Sequence, residues 1–119
     1  MLNLMTHPWH DVPIGDNAPY EVRAVVEVPR GDTTKYELDK ELGLLSVNRI
    51  MHPPVAYPAN YGFLPRTLAT DGDPLDVLVL MQNPVAPLSL VQVRPQLCVK
   101  YDRFMKTLRV SQQFLMRSF

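Results

Sequence analysis

Asp71-Gly72-Asp73-Pro74-Leu75-Asp76-Val77-Leu78-Val79-Leu80-Met81 joins a crowded acidic turn to an apolar run. From Leu75 to Met81 only Asp76 interrupts the apolar residues, a pattern expected of a strand buried on both sides. Gly72 permits an unusual backbone angle and Pro74 fixes the next one, so the three carboxylates before and within the strand are held tightly. Like charges a few ångströms apart disfavour one another unless a cation or hydrogen-bond donors offset the repulsion. Hard oxygen ligands suit magnesium or manganese, and no cysteine or histidine stands beside them to suggest zinc. A plain surface turn is the competing reading, since Asp, Gly and Pro are common turn formers. The continuation of the acidic series into the apolar run favours a site. An EF-hand loop needs a glutamate at its twelfth position, where Gln82 stands if Asp71 is counted first.

Working outward, Tyr20 to Pro29 alternates polar and apolar residues with β-branched valines, which predicts a half-buried strand. Pro29, Arg30 and Gly31 then turn the chain. Lys35 to Asp39 and Leu44 to Ile50 read as the arms of a hairpin, with Lys40 to Gly43 between them. Lys35, Glu37 and Asp39 fall on one face of the first arm. PPVAYPANYGFLP, residues 53–65, is too rich in proline for a helix and unlike a central strand, so a packed irregular connection is expected. After Lys100 a short basic helix is expected, with Phe104, Leu108 and Leu115 on one side.

Twelve prolines in 119 residues, about double the typical usage of about 5%, favour a turn-rich, mainly β protein. The length suits one domain. The formal net charge is zero, yet residues 1–76 hold eleven of the twelve acidic groups and six of the twelve basic ones. Residues 77–119 hold the remaining one and six, so a compositional boundary is expected near residues 90–100. No basic start followed by an apolar stretch marks a secretory signal, and no segment approaches the roughly 20 apolar residues of a membrane span. The single Cys98 excludes an internal disulfide and agrees with a reducing, cytoplasmic setting.

Lys35, Arg49 and Arg66 offer positive charge, while Tyr57 and Tyr61 offer hydroxyl donors. These are groups that suit phosphate. Exposed ion pairs and simple packing explain each of them singly; their convergence with the carboxylates would carry function. His7, His10 and His52 have no metal-ligand spacing and read as structural or exposed. Neither a P-loop nor a GxSxG elbow is present.

In order, HPWHDVPIG with VVEVPRG, KYELDKELGLLSVNRIM, YPANYGFLPRT and DGDPLDVLVLM resemble family I soluble inorganic pyrophosphatases, the opening being similar to the plant-like branch. The resemblance covers about His7 to Pro95. It implies an OB-like five-stranded β-barrel with the site on one side, and magnesium-dependent hydrolysis of pyrophosphate by a metal-activated water. It implies Asp71, Asp76 and Glu37 as metal ligands, Asp73, Glu27 and Tyr61 as catalytic residues, and Lys35, Arg49 and Tyr57 as substrate-binding residues. Pyrophosphate is the implied partner, alone or within a homo-oligomer or an assembly with full-length subunits.

Beyond Arg94-Pro95 the likeness fails. At the family's spacing the second set of two carboxylates and a lysine falls on Arg103, Leu108 and Val110, with Asp102 one residue from the first. The expected organisation is therefore a pyrophosphatase-like barrel domain over 1–95 and a divergent basic tail over 96–119, with the C-terminal elements missing or replaced. A barrel without its closing element would expose a strand edge. The alternative functions are an inactive pyrophosphatase-like subunit, or an OB-like module binding polyanions through Tyr101, Phe104 and Phe114. The acidic first part should repel a nucleic acid, so none is expected as partner.

Overall fold

The computed structural model describes residues 6–50, 56–102 and 110–118. Seven strands appear in these segments: β1 (Val22–Val28), β2 (Thr34–Leu38), β3 (Leu45–Ile50), β4 (Asn60–Phe63), β5 (Asp76–Leu80), β6 (Leu90–Asp102) and β7 (Val110–Ser118). Five of them close into a barrel in the order β1-β4-β5-β7-β6, with β6 returning to β1. Every barrel pairing is antiparallel except β5 with β7, where Val77 lies opposite Phe114 and Leu80 opposite Arg117. Strands β2 and β3 form a separate hairpin inserted between β1 and β4. This is the OB-like barrel expected from the sequence.

Alternation sorts the side chains. Val22, Ala24 and Val26 of β1 point into the barrel with Val77 and Val79 of β5, Val91 and Val93 of β6 and Met116 of β7. The opposite face of β1 and β4 carries Val25 and Phe63, which pack with Leu38 and the half-buried Leu45 of the hairpin and with Trp9. A two-stranded hairpin is marginal by itself, and this outer cluster seats it against the barrel wall.

The structure departs from the sequence expectations in several places. The segment expected as a basic helix is strand instead, up to Asp102 and again from Val110, while residues 103–109 and His52 lie outside the described residues. Strand β7 fills the gap between β5 and β6, so the described barrel is closed, which agrees with the second of the two expected alternatives, a replaced element, and not with a missing one. The 95/96 division falls inside β6. Residues 60–63, expected to be irregular, form the central barrel strand β4, because Pro58 and Pro65 flank it without interrupting its ladder. Strand β5 is buried on one face only: Val77 and Val79 are fully enclosed, Leu78 is half-buried and Leu80 exposed.

Candidate active site

Glu27 is placed by an irregularity in β1. Val26 lies opposite Gly62 and Val28 opposite Tyr61, so Glu27 is the extra residue of a β-bulge. It is 7% exposed, and its Oε2 accepts the backbone N–H of Leu38 at 2.8 Å. Burial pushes its acid up from 4.5 to about 7; the Leu38 N–H acts in the opposite sense, and the charges of Asp76 and Glu37 push further upward. Lys35 pulls back downward.

Asp76 begins β5 opposite Phe63, on the outer face of the barrel. The Tyr61 hydroxyl donates to its carboxylate. Burial pushes the Tyr61 phenol well above its ordinary range, and the charges of Asp76 and Glu27 push it the same way. Tyr57 stands beside Tyr61, their ring centroids 5.8 Å apart, on a backbone pinned at both ends: Tyr57 N donates to Asp32 O, and Gly31 N donates to Tyr57 O. Glu27, Tyr57, Tyr61 and Asp76 thus share one neighbourhood.

The hairpin supplies the second wall. Glu37 Oε2 accepts Asn48 Nδ2 at 2.6 Å, and Lys35 lies opposite the exposed Arg49 in the β2–β3 ladder. Two like charges paired across a hairpin disfavour it, and an anion between them would remove that cost. At the tip, Asp39 caps the turn by accepting Glu41 N at 3.0 Å and Leu42 N at 2.8 Å through Oδ1. The neighbouring Lys40 reaches across to form an ion pair with Asp73.

The acidic loop is ordered by its own hydrogen bonds. Asp71 Oδ1 accepts Asp73 N at 3.0 Å, Ala69 N donates to Asp73 O at 2.6 Å, and Gly72 takes φ +86°, a left-handed value that glycine adopts without strain. Asp71 and Asp73 are therefore turned toward the hairpin tip, whereas Asp76 belongs with Glu27 and Tyr61. The carboxylates that are contiguous in sequence do not meet at one point. Among the described residues, no three carboxylate, histidine or cysteine side chains form a ready-made metal cage.

Arg66 is absent from this group. Its Nε donates to His10 O at 2.9 Å and its backbone N to Trp9 O at 2.9 Å, so it fastens residues 7–11 across the β4–β5 connection. His7 completes the fastening: Nδ1 accepts Trp9 N and His10 N, leaving Nε2 to donate to Lys40 O at 2.7 Å. Trp9 Nε1 donates to Thr67 O at 2.8 Å. The N-terminal segment straps the hairpin tip to the connection that leads into the acidic loop. His7 thus serves structure, while His10 is exposed with its ring stacked on Trp9.

A family model for inorganic pyrophosphatase matches residues 24–101. The chain belongs to the inorganic pyrophosphatase family. It is 57% identical over 90 residues to soluble inorganic pyrophosphatase 2 of Chlamydomonas reinhardtii, which covers 76% of this chain and 47% of that protein. It is 54% identical over 92 residues to the soluble inorganic pyrophosphatase of Oryza sativa subsp. japonica, covering 77% of this chain and 43% of that one. Its fold superimposes on the crystal structure of the inorganic pyrophosphatase from Thermus thermophilus with a TM-score of 0.84 and 38% identity, over 95% of this chain and 63% of that chain. The chain spans about half the length of the curated relatives it matches.

Two residues of the site region escaped sequence reasoning. Lys40 reads only as a turn residue, because nothing local says that the turn folds over residue 73. Asn60 is fully buried at the start of β4, beside the site. Its Oδ1 accepts Arg30 N at 2.8 Å and Val85 N at 3.3 Å, and its Nδ2 donates to Asn83 O at 3.0 Å. An asparagine within a proline-rich aromatic string gives no sign of that.

Proposed function

We propose that the chain acts as an inorganic diphosphatase, hydrolysing pyrophosphate to two phosphates with magnesium as cofactor. The observation that carries this reading is the meeting of Glu27, Tyr61 and Asp76 on the outer face of the barrel, opposite a hairpin that brings Glu37, Lys35 and Arg49.

The donor set fits a magnesium ion. Magnesium is seldom held in an all-protein cage; it takes one or two carboxylates and completes its shell with water and substrate phosphate. The mutual repulsion among Glu27, Glu37 and Asp76, felt as an upward push on the Glu27 acid, is what a divalent cation relieves. Asp76 and Glu37, whose charges both bear on Glu27, would hold it, and Asp71 would have to join them from the hairpin-tip side. When bound, it would neutralise phosphate charge and acidify a water.

The remaining work falls to the chain's own groups. Lys35 and Arg49 bind phosphate oxygens, and Tyr57 donates from the side. Asp73 receives the proton of the attacking water as its oxygen bonds to one phosphorus and the bridging P–O bond breaks. Tyr61 and Glu27 hold Asp76 and the base of the hairpin in place, so that charge building on the phosphoryl oxygens meets donors already oriented. Phosphate release from pyrophosphate and magnesium by the purified chain tests the reading. Release equal to that of Asp73→Asn would overturn it.

A second reading is a non-catalytic pyrophosphatase-like subunit. It is favoured by Arg103, Leu108 and Val110 standing where the family resemblance calls for two carboxylates and a lysine. Magnesium binding without phosphate release would select it.

A further inference from the structure

Among the described residues, Lys40 is the ammonium that the structure sets directly on the acidic loop, and the proposed function gives it no task. We propose that Lys40 is the resident counter-cation of this loop, holding Asp73 until a divalent cation expels its ammonium. The inference rests on the reading of Asp71, Asp73 and Glu37 as groups that meet a cation and its substrate.

Three observations carry it. The Lys40 ammonium is ion-paired with Asp73 Oδ1, the carboxylate assigned to the attacking water's proton. Glu37 and Asp71, two of the carboxylates assigned to the metal, also lie near enough for their charges to act on the same ammonium. Its backbone is fixed: the turn is closed by Asp39 N to Leu44 O and Gly43 N to Asp39 O, and Lys40 O accepts His7 Nε2. The side chain remains 42% exposed and Asp73 40%, so the ammonium can leave along its flexible stem without disturbing the core.

A divalent cation and an ammonium drawn to the same carboxylates repel each other, and the higher charge wins. Lys40 is thus a positioning residue: it orders the acidic loop against the hairpin before metal arrives, and its departure exposes the base.

The test uses the full chain and magnesium ion alone, followed by titration calorimetry at low ionic strength. Lys40→Gln should bind magnesium roughly three- to tenfold more tightly than the wild-type chain, and Lys40→Arg within about twofold of it. Unchanged or weaker binding by Lys40→Gln, or no magnesium binding by either chain, overturns the proposal. Should Lys40→Gln fail to fold, the wild-type chain decides through the NMR signal of the Lys40 ε-methylene, assigned by its loss in Lys40→Arg. That signal should move with magnesium and stay in place with sodium chloride of equal ionic strength; a signal indifferent to magnesium overturns the proposal. Pyrophosphate hydrolysis is followed on the same samples. Tighter magnesium binding by Lys40→Gln without hydrolysis by the wild-type chain overturns the diphosphatase reading and leaves the role of Lys40 standing.

Discussion

Glu27 Oε2 accepts the backbone N–H of Leu38 at 2.8 Å, joining the bulge of β1 to the hairpin that covers it. The acid that makes this bond carries a charge the fold disfavours, because burial pushes it from 4.5 to about 7. Between those values the folded chain holds a proton that the unfolded chain has released. Stability therefore falls as pH rises through the window and is level above it, by about 3 kcal/mol at most. Glu27→Gln keeps an acceptor for Leu38 and removes the titration. Urea unfolding at pH 5 and pH 8 without divalent ions should show the decline in the wild-type chain and its disappearance in the variant.

Gly62 tolerates no side chain. A Cβ there would lie 1.9 Å from the carbonyl oxygen of Val25, on the strand it pairs with. The atoms it would meet are all backbone of Val25 and Val26, with nothing flexible to yield, so Gly62→Ala must separate β1 from β4 beside the bulge. A loss above about 3 kcal/mol is expected, or failure to accumulate as soluble protein. Thermal unfolding or soluble yield measures it.

Asn60 ties three backbone segments from a fully buried position. Asn60→Ala leaves Arg30 N, Val85 N and Asn83 O short of a partner, at about 1–3 kcal/mol for each group that water cannot reach. Chemical denaturation should show a loss of about 3 kcal/mol. Asn60→Asp, which keeps the acceptor but buries a charge in place of the amide donor, should do no better.

What the sequence disclosed follows from the range of the forces involved. β1, the hairpin and β5 are written in local alternation and turn chemistry, and they appear within one or two residues of their expected bounds. The closing strand is not. β7 is set by pairing with β5, more than thirty residues upstream, and with β6, and neither neighbour leaves a mark on residues 110–118. Of the expected helical stripe, Phe104 and Leu108 lie outside the described residues, and at Leu115 tertiary pairing outweighs so weak a period. In the site, the four-motif order pointed to Glu27, Tyr61 and Asp76. The separation of Asp71 and Asp73 from them, and the arrival of Lys40 at Asp73, depend on how the hairpin leans on the barrel. No spacing along the chain encodes that angle.

Trp9, the sole tryptophan, reports on the strap. Its indole donates to Thr67 O and packs over Val25, Leu38 and Phe63. Trp9→Phe retains an aromatic body and gives up the bond, for about 1 kcal/mol, whereas Trp9→Ala also empties the outer cluster, for about 3–5 kcal/mol. The same contacts make Trp9 emission in the wild-type chain a probe of hairpin seating, and it should shift to longer wavelength before the barrel unfolds.

Tyr61→Phe separates the two duties of that phenol. The ring continues to pack beside Tyr57, so the barrel should keep its form. The hydroxyl, however, is the donor that Asp76 faces in a partly enclosed place where Glu27 adds a second negative charge. Without it the carboxylate loses a charge-assisted bond of about 1.5–3 kcal/mol, and with it the orientation proposed to serve the metal and phosphate. Magnesium-dependent phosphate release should fall roughly tenfold or more, while the circular dichroism spectrum stays unchanged. A rate within about twofold of wild type would remove Tyr61 from the chemistry and leave it a packing residue. The packing duty alone predicts no change in rate, so the two roles part in a single assay.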